Sequence, residues 1–102
     1  MSASSSANPA QANSPAHAST EVALPADVDL HARPAADFVR TAMRFPAEIW
    51  LAAGKREVNA KSLLSILALG ARRGTTLSLR AEGEDAAAAV ETLAETITAL
   101  RE

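Results

Sequence analysis

The chain has no cysteine and only two histidines among its 102 residues. The lack of cysteine rules out disulfides and thiolate metal sites, and two histidines do not make a zinc site without carboxylates. One tryptophan, two phenylalanines and no tyrosine leave little material for stacking on nucleic-acid bases. No apolar run approaches the roughly 20 residues that cross a membrane. We therefore expect no metal, no cofactor and no membrane insertion.

The charges are nearly balanced, which also narrows the choice of partners. Ten lysines and arginines stand against twelve acidic residues, for a formal net charge of −2. A balance of this kind argues against nonspecific attraction to nucleic acid, so we expect no nucleic-acid partner. The chain shows neither an internal repeat nor the glycine patterns of nucleotide-binding loops. Its length is sufficient for one compact domain.

Composition divides the chain in two. Residues 1–20 contain no lysine, arginine, aspartate or glutamate and are rich in Ser, Ala, Asn and Pro. They lack the basic and apolar regions of a signal peptide. We predict that residues 1–20 form a disordered N-terminal tail, in which His17 is solvated, and that residues 21–102 form the folded domain.

The pattern of apolar residues predicts the element order βαββαβα and an α+β domain with helices on one face of a sheet. Pro34 suits the first turn of the first helix, and Gly70 suits the end of the second. Glu84 and Asp85 suit the start of the third. The predicted strands are 21–24, 48–52, 57–60 and 76–81, and the predicted helices are 32–44, 63–69 and a last one that begins at 84–85.

Two apolar features have more than one interpretation. The second helix is apolar almost all round, so it either leaves an exposed docking patch or lies fully buried in a small core. Trp50 lies on the strand face opposite Ile49 and Leu51. It is either a surface aromatic or a residue covered by the tail or by a partner.

The most informative segment is Leu30-His31-Ala32-Arg33-Pro34. Since Pro34 belongs in a first helical turn, His31 is predicted to lie at or beside the N-cap, although histidine is not a preferred capping residue. A helix N-terminus offers unpaired N–H groups and a positive dipole end, which favour a phosphate. Both this terminus and Arg33 disfavour an imidazolium, so we predict a neutral, nucleophilic imidazole. A plain surface histidine is the alternative.

Other candidate residues have ordinary interpretations beside the functional ones. Ser62 is predicted to cap the second helix, and a phosphate there would place a charge of about −1.5 to −2 beside an apolar helix. Arg72 and Arg73 are predicted to be solvated turn charges. The remaining cations are either solvated or form the edge of a positive surface near His31: Arg40, Arg44 and Lys61.

Several segments in order resemble HPr, the histidine-containing phosphocarrier family of the bacterial phosphoenolpyruvate:sugar phosphotransferase system. The resemblance extends from about residue 21 to the end of the chain. It rests on H-A-R-P-A at 31–35, N-A-K-S-L-L at 59–64, L-G at 69–70 and A-E-G-E-D at 81–85. It implies an open-faced β-sandwich, in which a four-stranded antiparallel sheet lies under three helices.

The resemblance also implies a function. Enzyme I would phosphorylate Nδ1 of His31, Arg33 would stabilise the phosphoryl group, and the IIA components of sugar permeases would receive it. The chain would be a cytoplasmic, monomeric carrier and not an enzyme. HPr kinase/phosphorylase would phosphorylate Ser62 in a regulated member. The residues that would contact partners are Ala32, Leu63, Leu64 and Leu67.

The chain departs from the family pattern at two positions and in its tail. Asp29 stands where family members usually carry glycine, and its charge is unfavourable near a phosphate. Ser65 stands where kinase-regulated members commonly carry glycine.

The same scaffold also fits a second function, a regulatory module that controls a partner enzyme or transcription factor through its phosphorylation state.

Overall fold

The computed structural model describes residues 16–101, and it has the predicted order of elements. The elements are β1 His17–Ala23, α1 Ala32–Ala42, β2 Glu48–Ala53, β3 Arg56–Asn59, α2 Leu63–Leu69, β4 Thr76–Glu82 and α3 Ala86–Thr98. The four strands form one sheet in the order β1-β4-β2-β3, and each neighbouring pair is antiparallel. This confirms the predicted fold class.

The strands alternate between a buried face and an open face. In β4, Leu77, Leu79 and Ala81 are fully buried, whereas the residues between them face away from the helices. The helices bury their apolar sides on the same layer, and each large apolar side chain that leaves water contributes about 1.5–3 kcal/mol. The fully buried side chains from the helices include Phe38, Ile66, Leu93 and Ile97.

The first strand begins earlier than predicted. Residues 17–20, which are predicted to belong to the tail, lie instead in β1, where Ala18 pairs with Ala81 and is buried. Pairing with β4 orders this segment although its composition is polar, because Ser19 points to the open face and only small or half-buried residues point inward. The predicted disorder of residues 1–15 lies outside the described residues.

Other boundaries differ by one or two residues. The first helix ends at Ala42 and not at Arg44, and the third strand is shifted by one residue toward the N-terminus. The third helix begins at Ala86, with Asp85 as its N-cap. The carboxylate of Asp85 accepts a hydrogen bond from the backbone N–H of Ala47 at 3.1 Å and makes no bond to the helix end. It therefore fastens α3 to the start of β2.

Gly83 is required where β4 turns into α3. Its φ of +138° belongs to a region that side chains rarely adopt, and a Cβ would lie 2.9 Å from the Cα of Ala47. The backbones before β2 and after β4 can approach this closely because Gly83 has no side chain. Within residues 16–101, no helix has the length and apolar character needed to cross a membrane.

Candidate functional site

His31 is the N-cap residue of α1, as predicted. Its backbone is extended, with φ −123° and ψ −164°, and its carbonyl accepts a hydrogen bond from the N–H of Ala35 at 2.8 Å. The imidazole makes no capping hydrogen bond to the helix and is exposed. Pro34 is buried in the first turn, where its missing N–H is not needed. The backbone of His31 thus occupies the N-cap position, whereas its imidazole does not cap the helix.

The start of α1 is electrostatically positive. The first turn contains no acidic residue, and the exposed Arg33 adds a full positive charge. Unpaired N–H groups and the helix dipole favour an anion at this end by about 0.3–1 kcal/mol. Arg33 makes no side-chain hydrogen bond or ion pair with any other residue from 16 to 101. The guanidinium is therefore available to an incoming anion.

Asp29 precedes this site by two residues and is bound to Arg73. One carboxylate oxygen, Oδ1, accepts hydrogen bonds from the backbone N–H of Arg73 at 2.7 Å and from its Nε at 3.4 Å. The other oxygen, Oδ2, accepts from Nη2 at 3.3 Å. The hydrogen bond from the Arg73 side chain is the main reason that the pKa of Asp29 is lowered. Arg73 is therefore not the free turn charge that the sequence suggested.

Backbone hydrogen bonds extend this contact into a seam between two loops. The loop from β1 to α1 meets the loop from α2 to β4 through three backbone bonds, in addition to those of Asp29. The bonds run from the N–H of Leu30 to the carbonyl of Ala71 at 2.9 Å, from Gly74 to Pro25 at 3.1 Å and from Leu24 to Thr75 at 2.9 Å. The loop that carries His31 is therefore fastened along its length.

A shallow pocket of about 260 Å³ lies beside His31. Asp29 and His31 contribute to it from one loop, Leu67 from α2, and Arg72 from the α2–β4 loop. Arg72 makes no side-chain hydrogen bond or ion pair with another residue of the described chain. The sequence predicts a solvated turn charge at Arg72, and no motif indicates that the fold brings it to the histidine.

The second helix leaves part of its apolar surface exposed. Ser62 is its N-cap and accepts a hydrogen bond from the N–H of Ser65 at 3.2 Å, as the capping interpretation requires. Ile66 and Leu69 point into the core. Three leucines remain exposed, and we call them the leucine patch: Leu63 at 40%, Leu64 at 79% and Leu67 at 37%. Of the two interpretations of this helix, the structure supports the exposed patch.

The leucine patch is continuous with the histidine site, because Leu67 lines the pocket beside His31. The exposed Met43, at the C-cap of α1, is a further apolar side chain that the sequence analysis did not identify as exposed. Val39 and Ala42, which precede it in the helix, are buried, so spacing alone suggested no special role.

The other predicted cations do not gather around His31. Arg40 forms an ion pair with Asp37, and Nζ of Lys61 donates to the backbone carbonyl of Phe45. Arg44 follows the end of α1, which puts its backbone roughly 20 Å along the helix from His31 at 1.5 Å per residue. Of the candidate cations, Arg33 and Arg72 are the ones next to the histidine.

Trp50 lies on the open face of the sheet and is half-buried. The guanidinium carbon of Arg80 lies 3.9 Å from the centre of its ring. Arg80 also forms ion pairs with Glu57 at 3.1 Å and with Glu82 at 3.0 Å. The hydrogen bond from Arg80 is the main reason that the pKa of Glu57 is lowered. Within residues 16–101, Arg80 is thus the side chain that covers Trp50.

No cluster of three or more histidines or acidic residues between positions 16 and 101 is arranged to hold a metal ion.

Comparison with known proteins places the chain in a family. A family model described as "PTS HPr component phosphorylation site" matches residues 18–99. The phosphocarrier protein HPr of Buchnera aphidicola is 44% identical over 80 residues, which cover 78% of this chain and 94% of that protein.

Solved structures show the same likeness. The phosphocarrier protein HPr of Bacillus anthracis has a TM-score of 0.77 and 36% identity, and covers 80% of this chain and 98% of its own. Crh of Bacillus subtilis, described as a catabolite repression HPr, has a TM-score of 0.63 and 36% identity, over 81% of this chain and 99% of its own. The chain therefore belongs to the HPr family of phosphocarrier proteins of the phosphotransferase system.

Proposed function

We propose that His31 is the residue of this chain that carries the phosphoryl group. Enzyme I transfers the group from phosphoenolpyruvate to Nδ1 of His31, and IIA components of sugar permeases receive it. The observation that supports this most is an exposed imidazole at the N-cap of α1, beside Arg33, in a chain of the HPr family. The chain is a monomeric carrier in the cytoplasm. It is regenerated by its partners and has no turnover of its own.

The transfer step is balanced without a metal or cofactor. The Nδ1 lone pair of His31 forms a new N–P bond to the phosphorus atom carried by the phosphorylated histidine of enzyme I, the donor. The N–P bond of the donor breaks, and its electron pair stays on the donor nitrogen. His31 releases the proton from Nε2, and the departing donor imidazole takes up one proton. The reverse set of events passes the group to a IIA component.

Arg33 and the helix terminus favour the phosphorylated state. Before transfer, their positive charges attract the negatively charged phosphoryl group toward the imidazole. After transfer, the same charges face a phosphoryl dianion, and the guanidinium can donate charge-assisted hydrogen bonds to it. Loss of Arg33 should therefore slow transfer and destabilise the phosphorylated form.

The leucine patch and Ala32 form the surface that docks on both partners. Ala32 is exposed at the start of α1, and Leu67 adjoins the histidine pocket. An exposed apolar surface next to a reactive group excludes water when a partner covers it, and this strengthens the electrostatic contacts beneath.

Phosphorylation by enzyme I and phosphoenolpyruvate tests the proposal. Intact-protein mass should rise by one phosphoryl group, and acid should remove it. His31→Ala should abolish the gain. His17→Ala is the matched control, because His17 is the other histidine and lies on β1. A wild type that gains no mass, or a gain that persists in His31→Ala, would disprove the assignment.

Ser62 is the proposed regulatory site. Ser62 is half-buried, and its Oγ accepts the hydrogen bond from Ser65, beside Leu63 of the leucine patch. A phosphate on this oxygen would bring a charge of about −1.5 to −2 into the apolar surface that docks on enzyme I. Incubation with HPr kinase/phosphorylase and ATP should phosphorylate the wild type and Ser65→Ala but not Ser62→Ala. Equal labelling of the Ser62→Ala variant would place the modification elsewhere.

A regulatory module is the second candidate function. The relative Crh, which is described as a catabolite repression HPr, favours it. In this case the phosphorylation state of His31 or Ser62 would decide which enzyme or transcription factor binds the leucine patch. Pull-down with unmodified, His-phosphorylated and Ser-phosphorylated protein distinguishes the two functions. Identical sets of bound proteins in all three states would exclude the switch.

A further inference from the structure

The feature that the proposed function does not explain is Asp29. It is a carboxylate two residues before His31, and both residues line the same pocket. The backbone N–H of His31 donates to the carbonyl of Asp29 at 2.9 Å, which holds the two residues in one tight turn. An incoming phosphoryl group carries negative charge, so an uncompensated carboxylate at this position would oppose its approach.

The contacts of Asp29 show how this charge is compensated. Arg73, from the loop on the far side of the seam, supplies three N–H donors to the carboxylate, one from its backbone and two from its guanidinium. The backbone bond, at 2.7 Å, fixes the position of the carboxylate, and the guanidinium supplies a matching positive charge. Arg72 also lowers the pKa of Asp29, although its effect is the smallest of those that act on this carboxyl.

We propose that Asp29 and Arg73 form a positioning pair for phosphoryl transfer at His31, in which Arg73 holds the carboxylate in the seam and cancels its charge. This inference rests on the proposed function, because it concerns the same histidine. The pair allows Asp29 to fasten the loop that carries His31 while the phosphoryl group meets no net negative charge there. Arg33, at the start of α1, and Arg72, which lines the pocket, then remain without an ion-pair partner among residues 16–101.

The test compares transfer rates in a set of variants that changes charge at one or both positions. Arg73→Gln exposes the Asp29 charge, so transfer from phosphorylated enzyme I should slow by about threefold to tenfold, the scale of one nearby charge at intermediate dielectric. The double variant Asp29→Asn/Arg73→Gln removes both charges, and its rate should return to within about twofold of the wild type. The slowing in Arg73→Gln should shrink in high salt, because the site is exposed.

Arg80→Gln is the matched control. It removes an arginine from an ion pair on the opposite face of the sheet, with the same change in net charge. Its transfer rate should equal that of the wild type. If Arg73→Gln transfers as fast as the control, the pair has no role in the reaction. If the double variant is as slow as Arg73→Gln, the contact serves only to shape the loop, and charge cancellation is disproved.

A chemical donor separates this inference from the proposed function. Phosphoramidate transfers its phosphoryl group to an imidazole nitrogen with loss of ammonia, so it needs no enzyme I. The order of rates at His31 should be the same with this donor: Arg73→Gln slowest, and the double variant close to the wild type. If enzyme I fails on every variant, the proposed function is wrong, and the order of rates with phosphoramidate still decides whether the pair affects His31. Equal rates with phosphoramidate would then overturn the inference. Thermal unfolding of each variant checks that it is folded.

Discussion

The open face of the sheet and the helix face around His31 use similar side chains in opposite ways. On the sheet face, Arg80 covers Trp50 and pairs with two glutamates, so its charge and the aromatic ring are satisfied by neighbours. On the helix face, Leu64 is 79% exposed, and Arg33 has no side-chain partner within residues 16–101. The formal net charge of −2 hides this difference.

The difference separates side chains that stabilise the fold from those available to other molecules. Folding gains little from a leucine that stays in water or from a guanidinium without a neighbour. Groups of this kind contribute instead to the free energy of binding, when a partner covers them. Asp29 and Arg73 differ from Arg33 on this face, because they are paired with each other.

The largest expected effect comes from the core that both faces share. Leu93 lies on α3 and is fully buried. Leu93→Ala should lower the free energy of unfolding by about 2–5 kcal/mol, because it removes buried methyl groups and leaves a cavity. Urea unfolding followed by circular dichroism measures this, with the exposed Glu91→Ala on the same helix as the control. A loss below about 1 kcal/mol would contradict the packing of α3.

The leucine patch should affect transfer without affecting stability. Leu64→Glu places a charge on the most exposed leucine, so transfer from enzyme I should fall by about tenfold or more, as expected for a central interface residue. The free energy of unfolding should change by less than about 0.5 kcal/mol, because the site is exposed. Ala88→Glu, at an exposed position of α3, carries the same charge change, and it should accept the phosphoryl group at the normal rate. A normal rate in Leu64→Glu would remove the patch from the docking surface.

The sheet face should give the reverse result. Trp50→Ala removes the ring under Arg80, and the loss of half-buried area and of the cation–π contact should cost about 1–2 kcal/mol of unfolding free energy. Phosphoryl transfer by the folded protein should keep the wild-type rate. Circular dichroism measures the stability, because the variant has no tryptophan left for fluorescence. Slower transfer under conditions in which the variant is fully folded would show that the sheet face also contacts a partner.

Sequence reasoning succeeded where a local signal was strong. Pro34 indicated the start of α1 and hence the position of His31, and Ser62 with Gly70 gave both ends of α2. Alternation of leucines with polar residues identified β4 and its buried face. The backbone angles of single residues, or their burial, fix these features, so the local sequence carries the information.

Contacts between distant segments could not be predicted in the same way. The Asp29–Arg73 pair joins residues that are 44 positions apart. The pairing of Ala18 with Ala81 depends on a strand register that no residue in β1 indicates. Trp50 was ambiguous because Arg80 lies on another strand. In each case the local sequence was compatible with a solvated residue, and only the tertiary fold supplied the partner.

The smallest expected effect concerns the pH dependence of the ion pair on the sheet face. The folded state lowers the pKa of Glu57, chiefly through the hydrogen bond from Arg80, so the pair stabilises the fold above the ordinary carboxyl range near pH 4. This contribution is lost as pH falls through the lowered pKa. The difference in unfolding free energy between the wild type and Glu57→Gln should therefore shrink from pH 6 to about pH 3.

Asp29→Asn provides the matching measurement on the helix face, where the pKa of the replaced carboxyl is lowered by Arg73. Its difference from the wild type should shrink over the same acid range, because both carboxylates lose their pairing when protonated. Both differences should also be reduced by salt, since all four side chains are exposed enough to be screened. The two variants should then differ only in their rates of phosphoryl transfer. Asp29→Asn should alter the rate at His31, and Glu57→Gln should leave it unchanged. A rate change in Glu57→Gln as large as that in Asp29→Asn would show that charge on the sheet face reaches the histidine, and would erase the contrast between the two surfaces.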